Sequence, residues 1–335
     1  MRIGSFQKSM KIGLIDVDSH NSPNLALMKL SGYHKAHGDH VELADINREY
    51  DRIYVSKIFT ESREPELPKS KEIKRGGSGY DLVNKLDDRI EHCMPDYSLY
   101  PEYKFALGML TRGCPRVNHG FCITPKKDGC ISQKVADLSE FWQGQKDIVL
   151  LDQNILACKD RLELLQQLID SGATVEFNGG MDARYMTPEI IEMVRKIKVK
   201  DYHFAWDDPR EDLLQRFTDI KNSAIKNPNQ IGVYVLTNYW SSITADLYRV
   251  YCLRNMGFMP FIMIYNKQKF VDSRGRWLPG VYLKYATSQL QHFKTCQHMQ
   301  RWAGNRKIIK SCPDFNNYEP YRKWVEKGKP VPSLN

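Results

Sequence analysis

The sequence predicts an α/β protein built on six β/α units curved into a partial barrel, and three observations carry that reading. Short apolar runs and amphipathic stretches alternate with regular spacing from about residue 104 to residue 265. The runs are bounded by helix start and stop residues, with Thr187-Pro188 and Ser242 as starts and Gly172 and Gly257 as stops. Polar residues recur just after each apolar run, where a parallel barrel gathers its strand ends at one mouth. The chain has 335 residues, 41% hydrophobic and 27% charged, which is the balance of a globular protein with ample capacity for a core.

Residues 11–17, Lys-Ile-Gly-Leu-Ile-Asp-Val, read as a buried parallel strand. A helix follows over Asn24-Leu-Ala-Leu-Met-Lys-Leu30, with two further strands at 41–44 and 52–56. This makes a small Rossmann-like βαβ unit, assigned to residues 1–75. Within it, residues 61–75 are charged, carry two prolines and read as an exposed linker, and Gly76-Gly-Ser-Gly-Tyr80 reads as a bend leading out of the unit. Residues 76–100 are a connector. The barrel is assigned to 101–265, with strands at 105–110, 147–151, 173–177, 201–206, 231–237 and 259–265. Helices are expected at about 158–171, 187–198, 209–223 and 243–256. Residues 266–335, rich in Lys, Arg, Tyr and Trp, are expected to form an irregular C-terminal cover that shapes the substrate region.

The stretch Leu110-Thr-Arg-Gly-Cys-Pro-Arg-Val-Asn-His-Gly-Phe-Cys-Ile-Thr-Pro-Lys-Lys-Asp-Gly-Cys130 places Cys114, Cys122 and Cys130 eight residues apart, with His119 between the first two. Thiolates select zinc, copper(I) or iron–sulfur clusters, and three in one Gly/Pro-rich loop can converge on a single centre. Zinc with Cys114, His119, Cys122 and Cys130 as four ligands is one reading, although the C-x-x-C knuckle of most structural zinc sites is absent. The other five cysteines, Cys93, Cys158, Cys252, Cys296 and Cys312, read as core residues, and the chain as one with reduced thiols. After the later apolar runs stand Asp152 and Asn154, then Gly179, Gly180, Asp182 and Arg184, then Asp207-Asp208, and then Asn238. Singly each has a capping or turning role available. Together they mark a ligand site.

The loop resembles the cluster loop of radical S-adenosylmethionine (SAM) enzymes. Leu-Thr-Arg-Gly-Cys-Pro-Arg and the aromatic pair Phe121-Cys122 carry the likeness, but the usual C-x-x-x-C-x-x-C spacing is altered. One residue is inserted, and His119 stands three before Cys122 where a cysteine is expected. Lys134-Val-Ala-Asp-Leu-Ser-Glu-Phe-Trp142, Leu151-Asp-Gln-Asn-Ile-Leu-Ala157, Gly180-Met-Asp-Ala-Arg184, Tyr234-Val-Leu-Thr-Asn238 and Arg301-Trp302 extend it to a group of microbial and phage-associated radical SAM proteins.

The resemblance implies a partial (β/α)6 barrel of radical SAM type and a [4Fe–4S] cluster on Cys114, Cys122 and Cys130, with His119 the alternative third ligand. It also implies reductive cleavage of SAM to a 5′-deoxyadenosyl radical that takes hydrogen from a substrate. Asp152, Asn154, Gly179, Gly180, Asp182, Arg184 and Asn238 are then the residues for SAM, with Phe121 on the adenine side of the loop. An external flavodoxin- or ferredoxin-like electron donor is implied too. Asp18-Ser-His20 resembles part of the Asp-x-His-x-x-Gly loop of cobalamin domains, which makes a cobalamin-dependent methyltransferase an alternative, although Pro23 replaces the glycine. The other alternative is a non-catalytic zinc- or nucleic-acid-binding barrel. The net charge of +9 permits an anionic or nucleic-acid substrate. With no export signal and no membrane-length apolar stretch, a cytoplasmic location is expected.

Overall fold

The computed structural model describes residues 9–20, 22–117 and 120–333. The chain forms two compact units, residues 1–179 with 196–200, and residues 180–195 with 201–335.

The first unit opens with β1 (Lys11–Asp16), α1 (Leu25–Ala36), β2 (His40–Leu43), β3 (Tyr50–Ser56) and β4 (Ser70–Gly76). The strands make an all-parallel sheet in the order β2-β1-β3-β4. The apolar run of β1 buries Ile12 and Leu14 against Leu27 and Leu30 of α1, which is why this short unit holds together. Asn24 caps α1, its side chain accepting from the Leu27 N–H at 3.3 Å.

β4 corrects the linker expected at 61–75. Its residues are mostly exposed and strongly charged, which conceals a strand from hydropathy. As an edge strand it needs no second buried face, and its charges meet partners on β3. Lys71 reaches Asp51 at 2.6 Å, and Arg52 reaches Glu72 at 2.6 Å.

After α2 (Asp88–Glu91) the same unit continues with β5 (Ala106–Gly108), β6 (Thr111–Arg112), α3 (Thr124–Lys127), β7 (Gln133–Lys134), β8 (Asp147–Leu150), α4 (Arg161–Ser171) and β9 (Thr174–Phe177). With β10 (Lys198–Val199) these give a second parallel sheet, ordered β10-β9-β8-β5, while β6 and β7 pair antiparallel as a separate ribbon.

The second unit holds α5 (Pro188–Lys196), β11 (Tyr202–Ala205), α6 (Leu214–Asn222), β12 (Ile231–Thr237), α7 (Ile243–Asn255) and β13 (Met259–Ile264). It continues with α8 (Val281–Lys284), α9 (Thr287–Ala303), α10 (Arg306–Ser311) and α11 (Glu319–Glu326). β11, β12 and β13 form a three-stranded parallel sheet. The region expected to be an irregular cover is therefore largely helical, and α9 packs on α7 and β13.

The six expected strands all form within a residue or two of their predicted ends. They do not form one hydrogen-bonded sheet. Among the described residues the ladder stops after β9 and β10 and resumes at β11, so the hydrogen-bonded strands fall into a four-stranded and a three-stranded parallel sheet. Two-residue β10 pairs with β9 through Lys198 and Val199 and takes the position beside it. No described helix is long and apolar enough to cross a membrane.

Candidate functional site

The cysteine loop leaves the C-terminal end of β5 and is closed at its neck by the β6–β7 ribbon, where Thr111 faces Lys134 and Arg112 faces Gln133. Gly113 turns the chain at φ +90°, a conformation L side chains rarely adopt. A Cβ at that position would lie 2.2 Å from the Ile131 carbonyl oxygen, so only glycine lets the two sides of the loop approach this closely. The Cys114 N–H then donates to the Gly129 carbonyl at 3.2 Å.

Asp152, at the end of β8, fixes the start of the loop. Its Oδ2 accepts from the Leu110 N–H at 3.1 Å, and its Oδ1 accepts from the Thr111 N–H at 2.5 Å and the Thr111 hydroxyl at 2.6 Å. Burial pushes its carboxyl up to about 6, against the lowering effect of those same bonds. Two residues on, Asn154 points its Nδ2 at the Cys114 sulfur, 3.6 Å away, and its carbonyl accepts from the Ser132 hydroxyl at 2.8 Å. Gln153 reaches the Gly113 N–H and the Asp128 carboxylate. Gly179 passes so close to β8 that a Cβ there would lie 2.2 Å from the Asp152 carbonyl oxygen.

A charged chain of residues that the sequence did not single out braces the loop from outside. Arg112 pairs with Glu91 at 2.8 Å and with Asp128 at 3.2 Å, and Lys29 pairs with Glu91 at 2.8 Å. Although burial opposes it, Arg112 and Lys29 hold the Glu91 carboxyl below the usual carboxylate range. No spacing in the sequence links Lys29, Glu91, Arg112 and Asp128. Only the packing of α1 and α2 brings them together.

Cys114 and Cys122 are half-buried, Cys130 is exposed, and all three are free thiols. Phe121 is half-buried in the same loop. His119 lies outside the described residues. The loop's base also walls a cavity of about 550 Å³, lined among others by Ser19, Asn24, Ser56, Gly77, Arg112 and Asp128. The cavity opens over the C-terminal ends of β1 and β3, the point where strand order reverses in the first sheet and where ligands enter open α/β sheets. Gly76-Gly-Ser-Gly-Tyr80, expected to be a plain bend, ends strand β4 and contributes to this lining.

His20, the residue of Asp18-Ser-His20 whose imidazole would ligate cobalt, does not line that cavity, and neither does Asp18. Asp18 is buried, and both its oxygens accept from backbone, Ile58 at 2.7 Å and Phe59 at 2.9 Å. His20 is exposed, at φ +50°, and is not among the lining residues.

The remaining expected site residues belong to the second unit. Asp182 accepts from the Arg184 N–H at 3.1 Å and pairs with its guanidinium at 2.6 Å, and Arg184 also reaches Glu211 at 2.9 Å. Gly180 turns the chain at φ +74° beside His203, and Asn238, at φ +60°, donates to the Tyr265 carbonyl at 3.0 Å. Asn154, Asp152 and Gly179 thus stand with the cysteine loop in one unit, while Gly180, Asp182, Arg184 and Asn238 stand in the other.

No family model matches the chain, and no curated protein matches it. Among solved structures it superposes on the radical S-adenosylmethionine methyltransferase TsrM from Kitasatospora setae, determined with tryptophan substrate and the SAM analogue aza-SAM bound. The TM-score is 0.57 at 10% sequence identity, covering 96% of this chain and 100% of that one. The fold is similar to that of a radical SAM methyltransferase. At this identity the likeness is one of fold: mixed α/β with parallel sheets.

Proposed function

We propose that the protein is a radical SAM enzyme whose cluster is held by Cys114, Cys122 and Cys130. The observation that carries this reading is the loop itself: three free thiols at the C-terminal end of a parallel strand, in a fold that matches a radical SAM methyltransferase over nearly the whole chain. The donor set fits the group. Three thiols suit three irons of a [4Fe–4S] cluster, the Asn154 amide is directed at one sulfur, and Arg116, Lys126 and Lys127 place positive charge beside an anionic centre. Cys130 is the preferred third ligand, since thiolate suits iron better than the His119 imidazole does.

When bound, such a cluster supplies the electron that cleaves SAM to methionine and a 5′-deoxyadenosyl radical. The chain's own contribution is orientation. Asp152 anchors the Leu110–Thr111 backbone, Gly113 sets the turn, Asn154 restrains Cys114, and Arg112 ties the neck to Asp128 and Glu91. Asp182, Arg184, Asn238 and Phe121 are proposed to contact SAM, and an external flavodoxin- or ferredoxin-like donor to reduce the cluster.

Anaerobic reconstitution tests this. About four irons per chain are expected, together with formation of 5′-deoxyadenosine from SAM and reductant. Cys114→Ala and Cys122→Ala should abolish both, and Cys130→Ala should do so where His119→Ala does not. A chain that takes up zinc alone, or that carries iron but never yields 5′-deoxyadenosine, overturns the proposal.

A further inference from the structure

The second unit contains three ligand-type side chains that the function above does not use. Asp246 stands in the first turn of α7, and His292 and Cys296 stand four residues apart on α9, so both project from one face of that helix. Their donor atoms all lie within 4.8 Å of one another. Asp246 and Cys296 are fully buried, and His292 is half-buried.

The pairing around this group is incomplete. Buried Arg249 takes Oδ1 of Asp246 and spends its other donors on the carbonyls of Trp206, Asp207 and Leu236. Oδ2 of Asp246 remains buried with no hydrogen-bond partner. Ser241 acts on that carboxyl, yet its own Oγ is also unpartnered, so the two do not meet at hydrogen-bonding geometry. A buried carboxylate oxygen without a donor costs on the order of 1–3 kcal/mol. No ion pair joins Asp246 to His292, and no disulfide involves Cys296. The three donor atoms lie close enough to share one ion, since bonds of about 2.0–2.3 Å to a common centre separate donors by roughly 3–4 Å.

We propose that Asp246, His292 and Cys296 form a mononuclear divalent metal site of the zinc class, clasping α7 to α9. A carboxylate, an imidazole and a thiolate are a borderline-soft set that suits zinc. The two anionic ligands neutralise the charge of a dication, and the buried Arg249 guanidinium beside Asp246 leaves one positive charge on the filled site. Binding forms the metal–sulfur bond and releases the Cys296 proton to solvent. Arg249 then plays the outer-shell part, holding the oxygen of Asp246 that the ion does not use. Three protein ligands leave a fourth position for water, on the half-open side where His292 reaches the surface.

The test uses the full-length chain carrying Cys114→Ala, Cys122→Ala and Cys130→Ala, so that the cysteine loop cannot take the metal. Titration with cobalt(II) as a spectroscopic stand-in should give a thiolate-to-cobalt charge-transfer band and tetrahedral d–d bands saturating at one ion per chain, and zinc should displace it. Cys296→Ser should remove the charge-transfer band. His292→Ala, at a half-buried position where folding is expected to survive, should weaken binding by at least roughly tenfold. Zinc should raise the thermal midpoint of the parent more than that of either variant, each first shown to be folded by circular dichroism. Absence of the bands in the parent, persistence of the charge-transfer band in folded Cys296→Ser, or unweakened cobalt binding in folded His292→Ala overturns the proposal. The readout is independent of SAM cleavage, so it stands or fails apart from the iron–sulfur reading.

Discussion

Asp152 holds the start of the cysteine loop through its hydrogen bonds to Leu110 and Thr111. Its place after an apolar run suggested a ligand contact, but both its oxygens are committed to Leu110 and Thr111. Asp152→Asn keeps the shape and turns one acceptor into a donor that faces another donor. The expected loss is about 1–3 kcal/mol of stability, measured by urea denaturation. Its pH dependence is distinctive. The folded carboxyl sits at about 6 against 3.8 for the free side chain, so between those values the folded state binds the extra proton. Its contribution is full below about pH 4, is lost as pH rises to about 6, and is flat above. The stability gap between wild type and Asp152→Asn should therefore narrow from pH 4 to pH 6 by on the order of 2 kcal/mol. A gap that widens over that window would show that the carboxylate is held ionised. Asn154 was singled out in the sequence as a SAM contact, and in the structure its amide points at the Cys114 sulfur, a role no spacing suggested.

At the scale of elements, strands buried on both faces were the easiest to see. β12 and β13 pair in parallel, and the apolar run of β12 contains only one exposed residue. β4 escaped because its identity lies in its ladder to β3 and in its cross-strand charges. Glu72 is exposed and Arg52 half-buried against the Tyr54 ring, so Arg52→Glu, which sets like charges against Glu72, should cost about 1 kcal/mol by urea denaturation. The loop neck is a stricter element. Gly113→Ala combines a disfavoured φ with a backbone oxygen 2.2 Å from the new Cβ, so the ribbon must part. The expected result is a folded chain with most of its reconstituted iron lost, read by iron content beside far-ultraviolet circular dichroism. Full iron retention would show that the neck does not govern cluster binding.

Across the whole molecule, periodicity foretold which segments are strands and helices but not where the ladder breaks. The interruption after β9 and β10 depends on hydrogen bonds that no hydropathy pattern encodes. The cavity over β1 and β3 was hidden in the same way. It gathers Asn24, Ser56, Gly77, Arg112 and Asp128 from distant parts of the chain, while of the short motif beside it, Asp18-Ser-His20, only Ser19 lines the cavity. That difference bears on whether His20 could ligate cobalt in the first sheet. A histidine-ligated cobalt would need the His20 imidazole inside the cavity, on a loop free to admit the ring. Asp18 instead pins that loop to Ile58 and Phe59, and His20 is exposed. Addition of hydroxocobalamin to the reconstituted protein should therefore produce no His20-dependent change in the cobalt spectrum, with wild type and His20→Ala superimposing. A spectral shift present in wild type and absent from His20→Ala would restore the cobalamin reading. It would require the segment around Asp18 to give up both its backbone bonds when the corrinoid binds.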